Sequence, residues 1–318
     1  MNNEPRKERN LVAERGTFMD RRQALLAAMA PILAPLTKNP PPRRSSSRLS
    51  VEGYIWQQYA ERQNKQLADV LDEIFPMARS AGYHNVELNQ TFFTAELRPH
   101  VERLLSANDL AMPSVYVGGA MHEDGLAEQT TRLALEIAGV CRPFGCRAVI
   151  NNPDPKPGQA RKSNAELAVQ VKMLDRLGRE LRDQGFEFWT HAHSPEMADN
   201  AREWRYNLQN TDPRFVSVCL DLDWVHQGGQ DPMALLREAG SRVHELHLRN
   251  SRQKLWLEAL GDGDIDYRQV AAYLKQAGLR PLLTVELAYK KETVVTRSLE
   301  DDLRLSRIYA ERVFGVSA

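Results

Sequence analysis

A histidine pair followed by a glutamate stands out in the stretch FEFWTHAHSPE, residues 186–196. The stretch opens with large aromatic residues, which is typical of a strand that enters a core. His191 and His193 follow two residues apart, and Glu196 comes three residues later. Alternate residues of a strand point to the same face, so both imidazoles could be presented to a metal ion or a substrate. The alternative is one histidine at the edge of the core and one exposed to solvent.

Each of the three apolar segments that follow residues 186–189 also ends in a side chain that binds metal ions well. Together with His191 they are Asp221, His247 and Glu286. Each has an ordinary alternative explanation, because an aspartate at a strand end often caps a helix and a glutamate there often pairs with arginine or lysine. Their occurrence on four consecutive segments is better explained by one divalent cation. Two imidazoles and two carboxylates suit Mn²⁺, Co²⁺, Fe²⁺ or Zn²⁺ better than Ca²⁺, and the identity stays open among these and Mg²⁺.

Apolar segments alternate with helical patterns after residue 50. Positions 67, 70, 71, 74 and 77, for example, are apolar at the i, i+3, i+4, i+7 spacing of a helix. Strict alternation over eight units predicts a closed parallel (β/α)₈ TIM barrel in a single domain, residues 51–318. The predicted strands are residues 51–56, 85–88, 113–118, 148–150, 186–189, 215–220, 243–248 and 282–287.

The barrel fold would bring the candidate ligands together. The ends of strands five to eight are neighbours on the C-terminal rim, where barrel enzymes carry their catalytic residues. A doubly wound open sheet is the competing fold. The lack of a glycine-rich phosphate turn after the first strand argues against it.

The composition is that of a globular protein, with 42% apolar and 26% charged residues. Lys plus Arg equals Asp plus Glu at 42 each, so no overall field favours nucleic acid or an anionic membrane as a partner. No apolar run is long enough to span a bilayer. Cys141 and Cys146 could pair in an oxidising compartment, and Cys219 is predicted to be buried. Association into a homo-oligomer is left open.

Residues 1–50 are predicted to lie outside the barrel. Residues 19–36 read MDRRQALLAAMAPILAPL, with Arg21 and Arg22 ahead of a short segment rich in alanine and leucine. This pattern resembles a twin-arginine export signal and predicts a periplasmic or exported protein. The alternative is an amphipathic helix with a basic start, which would leave the protein in the cytoplasm. Residues 38–50, which read KNPPPRRSSSRLS, are typical of a Pro/Ser/Arg-rich linker.

Six motifs together resemble the xylose isomerase-like TIM barrels, a family that includes sugar isomerases, ketose epimerases, inosose dehydratases and endonuclease IV. Each motif is weak alone, but their order and spacing within residues 51–313 are specific. The motifs are GYHNVEL (82–88), THAHSPE (190–196), VCLDLDW (218–224), ELHLRN (245–250), LGDGDIDY (260–267) and LTVEL (283–287).

By this resemblance, Asp221, His247 and Glu286 occupy the family's metal-ligand positions. The fourth position, often a glutamate at the end of strand five, falls on His191. One subgroup reads tyrosine-His-x-His there, and this chain has Thr190 in place of the tyrosine. Ketose epimerases of the family use that glutamate both as a ligand and as one of two proton-transfer bases. A symmetric epimerisation by two glutamates is therefore doubtful for this chain.

The resemblance implies a metal-dependent enzyme that removes a proton from a carbon next to a sugar carbonyl. Glu286 is the expected ligand and base, with His193 or Glu196 as the partner acid. Returning the proton elsewhere gives isomerisation or epimerisation. Expelling a β-substituent instead gives dehydration of a ketosugar or lysis of a 3-keto-glycoside. The missing second glutamate and the predicted export favour the lyase branch.

Other polar residues near the predicted strand ends are candidates for contact with sugar hydroxyls. Trp56 and Trp224 could also stack on a sugar face, although packing is the commoner role of a tryptophan near a barrel mouth. The candidates for hydroxyl contact are Glu87, Asn89, Asn151, Asn152, Trp224, His226 and Arg252.

Two other functions are compatible with such a barrel. An endonuclease IV-like DNA repair enzyme would need more ligands for several metal ions and a basic surface, and the balanced charge argues against it. The other is a metal-free barrel that binds a sugar without converting it. Asp262, Asp264 and Asp266 alternate like a calcium loop but lack its terminal glutamate, so a turn that caps a helix explains them better.

Overall fold

A computed structural model describes residues 47–291 and 293–317. Eight parallel strands close into a barrel in which strands consecutive along the chain are neighbours and the last pairs with the first. The predicted (β/α)₈ TIM barrel is therefore confirmed. The strands are β1 (Leu49–Glu52), β2 (Val86–Asn89), β3 (Ser114–Tyr116), β4 (Ala148–Asn151), β5 (Glu187–Thr190), β6 (Ser217–Asp221), β7 (Val243–Leu248) and β8 (Leu282–Val285).

Helices alternate with these strands and bury one face each. In the second helix, Val70, Leu71 and Ile74 are fully buried at the predicted helical spacing. The helices are α1 (Tyr54–Arg62), α2 (Leu67–Ser80), α3 (Arg98–Ala107), α4 (Asp124–Cys141), α5 (Asn164–Asp183), α6 (Ala198–Asn210), α7 (Leu222–Gln227), α8 (Pro232–Ala239), α9 (Tyr267–Ala277) and α10 (Leu299–Phe314).

The first strand differs from the prediction. It begins at Leu49, paired with Leu283, and ends before Gly53, so Trp56 lies in α1 rather than in a strand. The ring of Trp56 is fully buried against Phe75 and Phe92, which excludes the predicted role in stacking on a sugar. The twin-arginine pattern lies outside the described residues, and it stays a prediction together with export and the domain boundary at residue 50.

The inside of the barrel has two sides of different chemistry. One group of apolar side chains comes from β4, β5, β6 and β8. Since β8 is not a neighbour of the other three strands, its side chain can reach theirs only across the inside of the barrel. A group of polar side chains comes from β2, β3, β7 and β8, and each is fully buried. The interior apolar cluster is Ala148, Ile150, Trp189, Cys219 and Leu282, and the interior polar cluster is Glu87, Ser114, Glu245 and Thr284.

A short antiparallel hairpin follows β7, in which Ser251–Arg252 pairs with Leu255–Trp256. Its two turn residues, Gln253 and Lys254, have positive φ angles of 53° and 63°. The carboxylate of Asp264 accepts hydrogen bonds from both of their backbone N–H groups, at 2.9 and 2.8 Å. Asp264 therefore fixes the hairpin turn.

The other two aspartates of the LGDGDIDY motif also have protein partners. Asp266 caps α9 by accepting from the N–H of Arg268, which confirms the predicted helix cap. Asp262 accepts from the side chains of Arg268 and Tyr309. These contacts explain the alternating aspartates without a calcium ion.

The cysteines are free thiols. Cys219 is buried as predicted, and Cys141 and Cys146, for which pairing in an oxidising compartment was left open, are both free and buried. In the part of the chain that the structure describes, no helix has the length and apolar character needed to cross a membrane.

Candidate metal centre

The four predicted ligands converge at the C-terminal end of the barrel. His191 follows β5, Asp221 ends β6, His247 lies in β7 and Glu286 follows β8. All four are buried, and one ligand atom from each lies within 4.8 Å of the others. The register brings them together, because Asp221 is paired directly with His247 on the neighbouring strand. The arrangement is a mixed nitrogen and oxygen site from four consecutive strands.

His247 lies between two carboxylates. Its Nδ1 is 2.7 Å from Oε2 of Glu286, and its Nε2 is 3.0 Å from Oε1 of Glu87. Burial alone would lower the pKa of His247, but the neighbouring Cys219 thiol and the Glu87 carboxylate raise it well above its usual value. The ring is thus held by negative charge on both sides.

His191 has the opposite environment. It is buried, yet neither of its ring nitrogens has a hydrogen-bond partner. Burial, followed by the nearby rings of His193 and His247, lowers its pKa well below its usual value. His191 is therefore neutral at physiological pH, with a free nitrogen lone pair. A buried neutral imidazole without hydrogen-bond partners fits the role of a metal ligand.

Arg249 also belongs to this centre, although the sequence did not predict it. Its guanidinium donates from Nη1 to Oε1 of Glu286 at 2.9 Å and from Nη2 to Oδ2 of Asp221 at 3.0 Å. Its Nε is 3.4 Å from Oδ2 of Asp223. The guanidinium lies over the rings of Trp224 and Trp256, 4.9 and 4.3 Å from their centroids. Arg249 thus fixes two candidate ligands at once.

Both carboxylate ligands also have the ordinary roles considered above. Asp221 caps α7 by accepting from the N–H of Trp224 at 2.8 Å, and Glu286 pairs with Arg249. These contacts hold the carboxylates in place but do not balance their charge. Asp221, Asp223 and Glu286 face one guanidinium, which cannot balance all three when they are ionised, and any positive charge on His247 is shared between Glu286 and Glu87. A divalent cation would supply the missing charge, and the residues present fit one.

The pKa shifts of these carboxyl groups differ. Burial raises the pKa of Asp221 well above its usual value, although Arg249 opposes the shift. Burial also acts on Glu286, but Arg249 and His247 outweigh it and lower the pKa of that group well below its usual value. Glu286 is therefore the carboxyl group that stays ionised most readily.

The two predicted partner acids have different proton affinities. Burial lowers the pKa of His193 to about 4, so this ring is neutral at physiological pH. Burial, followed by the charge of Glu203, raises the pKa of Glu196 to about 7. One oxygen of Glu196 accepts from the N–H of His193 at 2.7 Å, and the other is buried without a partner. Glu196 is the better suited of the two to carry a proton near neutral pH.

Several uncommitted polar atoms lie near the centre. Oδ1 of Asn151 and of Asn152 and Nε1 of Trp224 are buried without hydrogen-bond partners. The Trp224 ring packs edge-on against His193, with centroids 5.0 Å apart. Tyr116, which the sequence did not single out, packs edge-on against His191 at 5.4 Å. These groups could contact a polar ligand.

Three other predicted substrate contacts have partners in the protein. Glu87 is fully buried and contacts Ser114 and His247 inside the barrel. Asn89 caps a short helical turn through Thr91. Arg252 is on the exposed hairpin, where it donates to a backbone carbonyl. Each of these side chains contacts protein or faces solvent, and their contacts with a sugar stay predictions.

Arg249 and Tyr116 had a signal in the sequence. Arg249 comes two residues after His247, and Tyr116 lies within the third predicted strand, residues 113–118. Alternation along a strand would have placed Arg249 on the same face as His247. A polar residue that continues the inward face of a strand beyond its last apolar residue is thus worth including in a predicted site.

Comparison with known proteins agrees with this architecture. The family model for the xylose isomerase-like TIM barrel matches residues 77–307. The chain belongs to this family. The resemblance found in the six motifs is thereby confirmed.

Two curated relatives of this xylose isomerase-like barrel are inosose dehydratases. The protein from Geobacillus kaustophilus (strain HTA426) is 22% identical over 210 residues, covering 62% of this chain and 67% of that protein. The protein from Salmonella typhimurium (strain LT2) is 26% identical over 130 residues, covering 35% of this chain and 43% of that protein. The second match thus spans less than half of the relative.

Solved structures share the fold. A sugar phosphate isomerase/epimerase from Parabacteroides distasonis ATCC 8503 has a TM-score of 0.65 and 17% identity, covering 84% of this chain and 94% of that one. A D-allulose 3-epimerase from Methylomonas sp. has a TM-score of 0.64 and 15% identity, covering 83% and 96%. At this level of identity the similarity shows the fold alone.

Proposed function

We propose that this barrel is a divalent-metal-dependent enzyme that removes a proton from the carbon next to a sugar carbonyl. The observation that carries the proposal is the convergence of His191, Asp221, His247 and Glu286 within 4.8 Å in a buried site with excess negative charge. The curated relatives, which are named as dehydratases, and the fold's occurrence among epimerases support a sugar or ketosugar as substrate.

Those four side chains would hold the cation. When bound there, a divalent ion would polarise the substrate carbonyl and stabilise the negative charge that develops on its oxygen. Arg249 would keep Asp221 and Glu286 in place through its two hydrogen bonds.

Proton transfer is assigned to two carboxyl groups with different pKa values. The lowered pKa of Glu286 keeps it ionised, so its carboxylate can accept the proton from carbon. Glu196, with a pKa raised to about 7, can hold a proton and donate it in the second half of the reaction. Neutral His193 would position Glu196 through its backbone N–H rather than act as the acid.

Among the reactions open to such a site, we favour elimination. Glu286 takes the α-proton, the C–H electron pair forms the double bond to the β-carbon, and the bond from that carbon to its oxygen breaks. Glu196 protonates the departing oxygen, which leaves as water from a ketosugar or as an alcohol from a 3-keto-glycoside. By the resemblance of the motifs, His191 takes the position of the family's second glutamate, so this chain would lack the symmetric pair of bases that epimerisation uses.

The substrate would lie against polar atoms that have no partner in the protein. Asn152 and Trp224, both predicted substrate contacts, present such atoms, and Asn151 presents another. Tyr116 would border the same space beside His191.

Incubation of the metal-loaded protein in D₂O with a panel of ketoses, inososes and 3-keto-glycosides tests the proposal. Loss of water or release of an aglycone is expected. Deuterium retained in an isomer of the substrate would instead identify an isomerase or epimerase. Neither exchange nor product from a protein that carries metal would contradict enzymatic function and favour sugar binding alone.

Elemental analysis after purification without chelators tests the cation separately. About one divalent transition metal ion per chain is expected from the single four-ligand cluster. Its absence from the protein, together with no uptake on dialysis against Mn²⁺, Co²⁺, Fe²⁺, Zn²⁺ or Mg²⁺, would contradict the metal-dependent mechanism.

A further inference from the structure

The interior polar cluster is not explained by the proposed reaction. Ser114 Oγ donates to Oε2 of Glu87 at 2.6 Å and lies 3.4 Å from Oε1 of Glu245, and Thr284 is hydrogen-bonded to Glu245. Each of these side chains is fully buried. Two carboxyl groups in the middle of a barrel are costly to bury, so a function is expected for them.

Glu87 is the member of this cluster that reaches the metal centre. Its Oε2 is committed to Ser114, whereas its Oε1 lies 3.0 Å from Nε2 of His247. Oε1 of Glu87 and Nε2 of His247 have no hydrogen-bond partner elsewhere in the described protein, and the 3.0 Å between them is an ion-pair contact. The other ring nitrogen of His247, Nδ1, faces Glu286 and the candidate ligands.

We propose that Glu87 is a positioning residue for the metal centre, accepting the Nε2–H of His247 and leaving the Nδ1 lone pair for the cation. The inference rests on the proposed metal site. Only one nitrogen of a neutral imidazole carries hydrogen, so a fixed acceptor at Nε2 selects the tautomer and the ring orientation in which Nδ1 can bind. Ser114 holds the carboxylate of Glu87 by a hydrogen bond, and this carboxylate would in turn fix the orientation of the His247 ring.

Cys219 is the other candidate for this position. Its thiol lies within 4.8 Å of a His247 ring nitrogen. A neutral thiol is a weak hydrogen-bond acceptor, whereas the carboxylate of Glu87 is a strong one. The geometry therefore points to Glu87.

The test measures the affinity of the purified protein for Zn²⁺ by competition with a chromophoric chelator. Glu87→Leu removes the acceptor, and Zn²⁺ affinity is expected to fall by roughly 10- to 100-fold. Glu87→Gln keeps a carbonyl oxygen that can accept the Nε2–H, so it should retain most of the affinity and also serve if the leucine variant does not fold. Cys219→Ala should bind Zn²⁺ like the wild type.

Glu187→Leu is the matched control. Glu187 makes the same kind of contact with His244, with 2.7 Å between Oε2 and Nδ1. Both side chains are partly exposed, and both residues lie at the N-terminal ends of their strands, β5 and β7. Removal of the Glu187 carboxylate should leave Zn²⁺ affinity unchanged. A comparable loss in this control would show a general effect of removing a carboxylate and would overturn the inference.

Nitrogen NMR of histidine-labelled, Zn²⁺-bound protein supplies a readout that does not depend on affinity or activity. His247 is expected as the Nε2–H tautomer in the wild type, and a changed or mixed tautomer is expected in Glu87→Leu. Wild-type affinity in both Glu87 variants, or an Nδ1–H tautomer in the wild type, would overturn the role of Glu87 alone. A wild type that takes up no Zn²⁺ would overturn the proposed function and this inference with it.

Discussion

His191 and His247 are equivalent strand-end histidines in the sequence, but the structure gives them different environments. His247 stands above the interior polar cluster, between the carboxylates of Glu87 and Glu286. His191 follows β5, which contributes Trp189 to the interior apolar cluster, and its ring nitrogens have no partner. One imidazole is therefore oriented by the protein, whereas the other is left available. A ligand set read from strand ends does not reveal this division.

The largest expected effect concerns Glu286, the carboxylate on the polar side. Glu286→Gln should retain much of the bound metal but lose turnover and deuterium exchange by about 10²- to 10⁴-fold, because the amide cannot accept the proton from carbon. Turnover and metal content are measured on the same preparation. Undiminished turnover would remove Glu286 as the base and would leave Glu196 as the candidate.

The contrast between the two histidines is tested directly by stability in the presence of a chelator. His247→Leu should lower the free energy of unfolding by about 3–5 kcal/mol, because it removes the ring that lies between the buried carboxylates of Glu87 and Glu286. His191→Leu should change it by about 1 kcal/mol or less, since it removes a buried group that has no hydrogen bonds and fills similar space. Urea unfolding measures both variants. Equal destabilisation would mean that the two imidazoles are held in the same way.

Arg249 connects the two carboxylate ligands, and its fork geometry can be tested separately from its charge. Arg249→Lys keeps the positive charge but cannot reach Asp221 and Glu286 with two parallel donors, so a loss of about 1–3 kcal/mol in unfolding free energy is expected without metal. Added Zn²⁺ should restore part of the loss, because the cation also binds both carboxylates. No destabilisation in the chelator-treated variant would show that the fork is not needed.

The sequence predicted the barrel and the convergence of the four strand-end residues because both follow from alternation. Strands that alternate with helices place their C-terminal ends on one rim, and the residue types at those ends then indicate the chemistry. The same rule, extended past the end of β7, would also have placed Arg249 beside His247. The positions of Glu87 and Arg252 could not be predicted in this way, because only the hairpin after β7 decides that Arg252 faces solvent. Glu87 has a strand-end position in the sequence, but its depth depends on the barrel register.

The last prediction contrasts Glu196, which has no arginine partner, with Glu286. Burial raises the pKa of Glu196 from its ordinary value of 4.5 to about 7, so the folded protein binds this proton more tightly than the unfolded chain. The stability that this group contributes is fully present below pH 4.5 and is lost as the pH rises through about 7. Glu196→Gln lacks this titration, so its free energy of unfolding should rise relative to the wild type across that pH range. Urea unfolding of both proteins at a series of pH values measures the difference, and parallel curves would show that the proton affinity of Glu196 is ordinary.

Glu286→Gln is the matched control for this prediction. The pKa of Glu286 is lowered, so the stability that its carboxylate contributes is lost only as the pH falls below 4.5. The Glu286→Gln variant should therefore show no change of the same sign between pH 4.5 and 7.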